Sequence, residues 1–393
     1  MSKIQNLKNL KLGLSRVILL CLIISIFTCG IVYSTLPTQP FTINRGVYPG
    51  SPSYTVWVED TEYFCKNAYG VIEQSDTNAS SIFNSLFNLD GVEVYIQSGQ
   101  YNLTAPITAT PQSIKIVGEA RKQPWEGTSP VPGEGVVLRA ATTLTHVLKL
   151  GSDDDEYRNI YISDLKIEGE ELAGYGFMAY GWNDGTIERV MAENCTSAAF
   201  FFDGGGAYPD SNMDVRNCWA GASHDGFSVG SHAEYITFYR CLSYVNDNAG
   251  FVIGASGSIS LIDCVSMSDE YYGLWINAFS VVHVTNYQCY GGNDNITDNG
   301  IYIYMQDYPS TQVSIFGGYI QNCNDNAVKL GTSSSNNTLQ IYGLRVNMIQ
   351  YFALERDNTY GNVTWVGGAM INVGGTIGDI QPGDNIVYVL GYE

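Results

Sequence analysis

Three stretches, AENCTSAAFFFDGGG (192–206), VRNCWAGASHDGFSVGSH (215–232) and FYRCLSYVNDNAGFVIGAS (238–256), decide the fold. Their cysteines, Cys195, Cys218 and Cys241, stand 23 residues apart; Cys264 follows after another 23 and Cys289 after 25. A sustained interval of that length marks a repeat architecture. Three and five residues before each cysteine the side chains are mostly apolar: Val190 and Ala192, Met213 and Val215, Ile236 and Phe238, Ile259 and Leu261, then Val284. Such alternation is a strand with one buried face. The polar residue before each cysteine (Asn194, Asn217, Arg240, Asp263, Gln288) reads as a tight bend, where Asn or Asp tolerates left-handed backbone angles. A second strand opens at Gly226, Gly250, Gly273 and Gly300, eight to eleven residues after a cysteine.

A unit of about 23 residues is too short to bury its own apolar face. Stacking solves this: each unit becomes a rung whose strands pair with their copies above and below at about 4.8 Å. The five cysteines then form one interior column. In-register Cβ vectors point the same way and five members leave one unpaired, so the column reads as reduced thiols packed as small hydrophobes rather than as disulfides.

The first rung has its own signature. SDTNASSIFNSLFN (75–88) offers Asp76 or Thr77 as a helix N-cap and sets Ile82, Phe83, Leu86 and Phe87 along one helical face. VEVYIQSG (92–99), YNLTAPI (101–107) and SIKIVGE (113–119) follow as strands. A helix placed here covers the open strand edges of the first rung, which would otherwise invite aggregation. ARKQPWEGTSPVPGEG (120–135) reads as a long loop leaving the stack, and the period loosens beyond 340.

This combination, the helix, then VEVYIQSGQYNLTAPI and IKIVGE, then 23-residue rungs, resembles the pectin/pectate-lyase-like right-handed parallel β-helix superfamily over residues 54–370. The resemblance implies an all-β, single-stranded right-handed parallel β-helix with an N-terminal capping helix. The chain divides accordingly into 1–40 (signal peptide or membrane anchor plus linker), 41–110 (N-terminal cap and first rung), 111–370 (the β-helix) and 371–393 (C-terminal cap strands). The superfamily hosts lyases, hydrolases, epimerases, tailspikes and non-catalytic surface proteins, so it fixes no activity. The Asn-Thr-Asp and Gly-His-Gly motifs of its hydrolases, the Trp-Ile-Asp-His and Arg-x-Pro-x-x-Arg motifs of its lyases and the Asp-Pro-His motif of its epimerases are all absent. No residue inherits a role.

Charge and leader bound the setting. Of 19 basic residues, Lys3, Lys8, Lys11 and Arg16 precede position 40, whereas all 39 acids follow it. So acidic a body disfavours nucleic acid and anionic membrane surfaces as partners, and polyanionic sugars too unless a cation such as Ca²⁺ mediates. The four bases precede the uncharged apolar run VILLCLIISIFTCGIVYS (17–34), either an export signal or a single anchor. Both place residues 35–393 outside the cytoplasm, secreted or at the cell surface, with the membrane met only through the N-terminal segment. Oligomeric state is left open.

The remaining candidates are physical. His224 and Asp225, with Asp247 and Arg240 in neighbouring rung positions, form the candidate catalytic set, a His beside acids and an Arg being able to take a proton or orient water. Acids recur before the glycine-opened strand (Asp225, Asp247, Asp269, Glu270, Asp298, Asp325) and would make a stripe in which Asp247, Asp269 and Glu270 are candidate Ca²⁺ ligands. Tyr271, Tyr272, Trp275, Tyr302 and Tyr304 fall in the same strand series; rings on its outer face suit stacking on pyranoses. Each has a plainer reading: Asp is an ordinary turn residue, a lone turn histidine is decoration, and aromatics are good strand formers. Two functions follow: a carbohydrate-active protein that binds polysaccharide and cleaves it as lyase or hydrolase, or a non-catalytic adhesin or structural rod. A trimeric tailspike fits an export leader less well.

Overall fold

Alternating apolar strands that cannot close a core alone must stack, and they do. A computed structural model describes residues 52–119, 135–152, 156–204, 211–254, 257–277, 281–291, 297–305, 311–332, 337–356, 362–377 and 385–387. The apolar run 17–34, the stretch 120–134 and most of the expected C-terminal cap lie outside the described residues. Each rung gives three strands. Face A takes Ser211–Arg216, Ile236–Tyr239, Ser258–Ile262, Val281–Thr285, Gln312–Phe316 and Thr338–Tyr342. Face B takes Trp219–Gly221, Leu242–Tyr244, Val265–Met267, Gln288–Tyr290 and Tyr319–Gln321. Face C takes Asp225–Val229, Ala249–Ile253, Tyr272–Ile276, Asn299–Met305 and Asn326–Thr332. Every one pairs in parallel with its counterpart a rung away, and the whole is a right-handed parallel β-helix of about nine turns.

The 23-residue period is local. It holds from Met213 to Ile236, Ile259 and Val282. The next partners of Val282 are Val313, Leu339 and Val363, and the mean spacing is about 26.

From Asp164 onward each bend between faces A and B opens on a left-handed residue: Asp164, Arg189, Asn217, Arg240, Asp263, Asn286, Gly317, Gly343 and Gly367, with φ between 51° and 69°. This row corrects the cysteine ladder. Cys218, Cys241 and Cys264 directly follow the bend and stack, as backbone bonds from Leu242 to Cys218, Val265 to Cys241 and Gln288 to Cys264 require. Tyr287 takes the next place, because the bend there is Asn286 and not Gln288; Cys289 falls two residues on, in face B opposite Ser266 and Ile320. Cys195 sits at the other bend, between B and C, where its N–H donates to Ser223 Oγ at 3.0 Å. The ladder has three members, not five. All seven described cysteines are buried free thiols, and burial pushes Cys65 and Cys195 up to about 12.

The glycines that open face C are there for room. A Cβ on Gly226 would lie 2.5 Å from the carbonyl of Gly250, and one on Gly250 or Gly273 2.7 Å from that of the next rung. One residue on, Phe200, Phe227 and Phe251 fill the interior as a stack with centroids 4.9 Å apart, the rung spacing itself.

At the N-terminal side lies an antiparallel meander, Tyr54–Glu59, Glu62–Asn67 and Ile72–Asp76, that the repeat reading did not foresee. Helix α1 (Ala79–Phe87) follows, capped by Asn78 rather than Asp76 or Thr77, with Ile82, Phe83, Leu86 and Phe87 buried. It takes the place of a missing rung. Asn84 accepts from Thr108 N at 2.8 Å and donates to Pro106 O at 3.0 Å, Asn88 accepts from Thr110 N at 2.9 Å, and Ser80 Oγ bonds both backbone atoms of Ala105. Side-chain amides thus pair the free edge of the strand Ile107–Ala109.

Candidate functional site

Alternate residues of face C point outward, and their columns run along the stack. In one, Trp275 is followed by Tyr302, Lys329 and Glu355; where the strand opens, Tyr272 is followed in register by Asn299 and Asn326, which are buried. Period-two strands therefore gather residues that are 27 and 26 positions apart in sequence.

The rings meet. Tyr272 stacks on Tyr302 with centroids 5.0 Å apart and planes 17° from parallel; Trp275 packs on Tyr272 at 5.5 Å, Tyr271 at 6.3 Å, and Tyr304 on Tyr302 at 6.2 Å. Gly331 leaves space for this: a Cβ there would be 3.0 Å from Tyr302 Oη and 3.3 Å from Tyr304. Tyr271 is 45% exposed and Tyr272, Trp275, Tyr302 and Tyr304 are half-buried, so ring surface stays open along two rungs. The indole Nε1 of Trp275 is shielded from solvent and has no acceptor among the described residues.

Polar groups edge the rings. Lys329 Nζ pairs with Glu355 Oε2 at 3.1 Å, and Asn326 Nδ2 bridges Glu355 Oε2 at 2.8 Å and Asn299 Oδ1 at 3.0 Å. At the neighbouring bend the N–H of Asp325 donates to the carbonyl of Asp298 at 2.8 Å, placing these two acids on successive rungs. Partial burial pushes the Asp325 carboxyl up, the Asp298 carboxylate adds to the rise, and Lys329 opposes it. Burial raises the Tyr272 phenol, and Lys329 offsets part of that rise. The arrangement offers apolar ring faces, a cation and two neighbouring carboxyls, of which Asp325 is raised.

The sequence-derived catalytic set is not assembled. His224, Asp225 and Asp247 do share the B–C bend: Asp247 N–H bonds Ser223 O and Asn248 N–H bonds His224 O. Asp225 accepts from Asn248 Nδ2 at 2.7 Å; burial raises its carboxyl while that bond and His224 pull it back. Arg240, however, is in the A–B bend, lying over the Tyr239 ring at 4.8 Å and 3.8 Å from Asp263. Nor does a cation site form. Asp247 and Glu270 are exposed at the bend, whereas Asp269 is wholly buried, its carboxylate taken by Ser243, Ser266 and Asn246. Among the described residues no three His, Cys, Asp or Glu side chains are placed to hold a metal ion. The aromatic set is brought together as read, but Lys329 and Glu355 were missed: rung intervals of 27 and 26 do not follow the 23-residue period.

No family model matches the sequence, and no curated protein matches it. Solved structures do. ORF18 of Geobacillus virus E2 superposes with a TM-score of 0.54 at 13% identity, over 80% of this chain and 58% of the other. An N-terminal fragment of bacteriophage phi29 gene product 12 gives 0.53 at 16%, over 76% and 61%. The chain thus spans about three fifths of each. The A-module of the Azotobacter vinelandii mannuronan C-5 epimerase AlgE4 gives 0.53 at 13%, over 76% of this chain and 91% of the module. Among the described residues no helix is long and apolar enough to cross a membrane. At these identities the likeness is one of fold, and the fold is the right-handed parallel β-helix.

Proposed function

We propose that the protein binds polysaccharide on face C, outside the cytoplasm, with the glycan lying against Tyr272, Trp275, Tyr302 and Tyr304. The observation that carries this is the run of partly open rings across two rungs, edged by the half-buried Asp298, Asp325 and Lys329. Aromatic faces take the apolar faces of pyranoses, and the acids take their hydroxyls. The apolar run 17–34 supports export. A fold likeness to a mannuronan C-5 epimerase module agrees with a glycan as the partner without naming one.

A second reading, that the bound chain is also cleaved, is favoured by Asp325. Its carboxyl is pushed up by partial burial and by the neighbouring acid, and a pair of adjacent acids with one of them raised is the kind of arrangement from which acid catalysis of glycosidic bond cleavage is built. The test is to incubate the protein with uncharged and uronate-containing polysaccharides, following binding, ultraviolet absorbance from unsaturated products, and reducing ends. Binding that Tyr302→Ala weakens about tenfold supports the binding reading. New reducing ends lost in Asp325→Asn support cleavage, with absorbance marking β-elimination and its absence hydrolysis. Folded protein that binds none of the panel would leave the structural-rod reading in place.

A further inference from the structure

A groove of about 720 Å³ lies on face B, away from the rings of face C. Its shape follows from one residue. In the outward column Glu193, Gly221, Tyr244 and Met267, glycine leaves a gap between a carboxylate and a phenol. Trp219 walls the gap: its indole Nε1 would be 3.5 Å from a Cβ on Gly221, and it has no acceptor among the described residues. Met191 and Leu242 continue the wall above and below Trp219.

Behind Glu193 is a nearly buried triad. Lys166, 11% exposed, pairs with Glu193 and with Glu168 Oε2 at 2.6 Å, and Asn194 Nδ2 donates to Glu168 Oε1 at 2.6 Å. The side chains of Glu168 and Glu193 are 8% and 13% exposed. Two carboxyls share one ammonium, and burial raises Glu193 to about 7, so near neutral pH the cluster holds a proton and carries little net charge.

We propose that this groove is a second saccharide site, taking a short uncharged glycan with a ring against Trp219, its oxygens accepting from Trp219 Nε1 and its hydroxyls donating to Glu193. The chemistry selects that occupant. An indole N–H with no acceptor among the described residues and a carboxyl beside the aromatic wall suit a ring bearing hydroxyls. With Lys166 already taken by Glu168 and Glu193 and no other cation in the lining, the groove has nothing to pair with a uronate or a phosphate. A peptide strand finds no free edge, because the backbone of face B is paired with the rungs on either side. Four rungs from Met191 to Met267 span about 14 Å at the usual strand spacing, the reach of an oligosaccharide of a few rings. The proposal does not depend on the reading of face C.

The test is titration of the full-length protein, with its tryptophan indoles labelled, using uncharged gluco-, manno- and galacto-configured trisaccharides and uronate trisaccharides. The expected result is a saturable shift of the Trp219 indole N–H with at least one uncharged sugar. Glu193→Gln should weaken it about tenfold while unfolding as the wild type does, and Trp219→Phe, which keeps a ring, loses the donor and with it the signal, should weaken binding of the same sugar about tenfold when followed by calorimetry. Tyr302→Ala on face C should leave it unchanged. No saturable shift with any uncharged sugar, tighter binding of the uronates at Trp219, or loss of the shift in Tyr302→Ala would each overturn the proposal.

Discussion

Asp269 carries a carboxylate with no solvent exposure, held by Ser243 Oγ at 3.1 Å, Ser266 Oγ at 2.6 Å, and the backbone N and Nδ2 of Asn246 at 3.0 and 2.7 Å. Burial outweighs those bonds and raises its pKa to about 6 from 3.8. A proton is therefore held more tightly in the folded than in the unfolded chain. The resulting stabilisation is complete below about pH 4 and is lost as pH rises through about 6, a difference of roughly 3 kcal/mol at 1.36 kcal/mol per pKa unit. Urea unfolding from pH 4 to 7 should show this fall in the wild type and a flatter profile in Asp269→Asn; parallel profiles would remove Asp269 as the cause. A second residue-scale strain lies at Val245, a β-branched residue at φ 55°. Left-handed backbone costs a non-glycine residue about 1–2 kcal/mol, and Asn tolerates it better. Val245→Asn should raise stability by about 1 kcal/mol in the same assay, and Val245→Leu, which keeps the strain, should not. Asn217 and Asp263 announce their bends by residue type, but Ala222, Val245 and Met348 turn equally left-handed with nothing in their chemistry to show it. Asp269 was legible as a repeated turn acid; that it faces inward was not, since only the bend geometry decides the side.

Among elements, α1 shows how a strand edge is closed by side chains. Asn84 is a poor helix former, and Ala in its place would gain up to about 0.7 kcal/mol of propensity. Yet Asn84 holds the N–H of Thr108 and the carbonyl of Pro106. Losing both bonds at about 1 kcal/mol each outweighs the gain, so Asn84→Ala should destabilise the protein by about 1 kcal/mol and promote self-association through the freed edge. Denaturation together with light scattering reads both; a more stable, monodisperse variant would mean that propensity governs α1 and the edge needs no cover. The apolar face of this helix was readable from the spacing of Ile82, Phe83, Leu86 and Phe87, and so was its capping place. The asparagines that do the pairing were not, because their partners on 105–110 depend on how the helix lies across the strand. The face C rings were readable for a related reason: alternation alone sends Trp275, Tyr302 and Tyr304 outward. Lys329 and Glu355 join them only through register, which sequence spacing hides once the period leaves 23.

For the whole molecule, stacking makes stability a near-neighbour property: each rung holds chiefly the two beside it. Phe227 is the sharpest probe of this, stacked at 4.9 Å on both Phe200 and Phe251 and edge-on to Phe238 at 5.6 Å. Truncating a buried phenylalanine to alanine removes about 3–5 kcal/mol, and here it empties the interface of three successive rungs. In a molecule with one global cooperative unit, Phe227→Ala would lower amide protection everywhere by the same free energy. In a solenoid the loss should concentrate where the contacts were. Hydrogen exchange of Phe227→Ala should therefore show protection falling over the face C strands Ala198–Asp203, Asp225–Val229 and Ala249–Ile253 and their face A neighbours, while the rungs around Ile341 and Trp365 and the helix α1 keep theirs. Uniform loss from α1 to Trp365 would show that the rungs unfold together. A local loss would mean that the rungs bearing Trp219 can be weakened without loosening the rungs bearing Ile341 and Trp365.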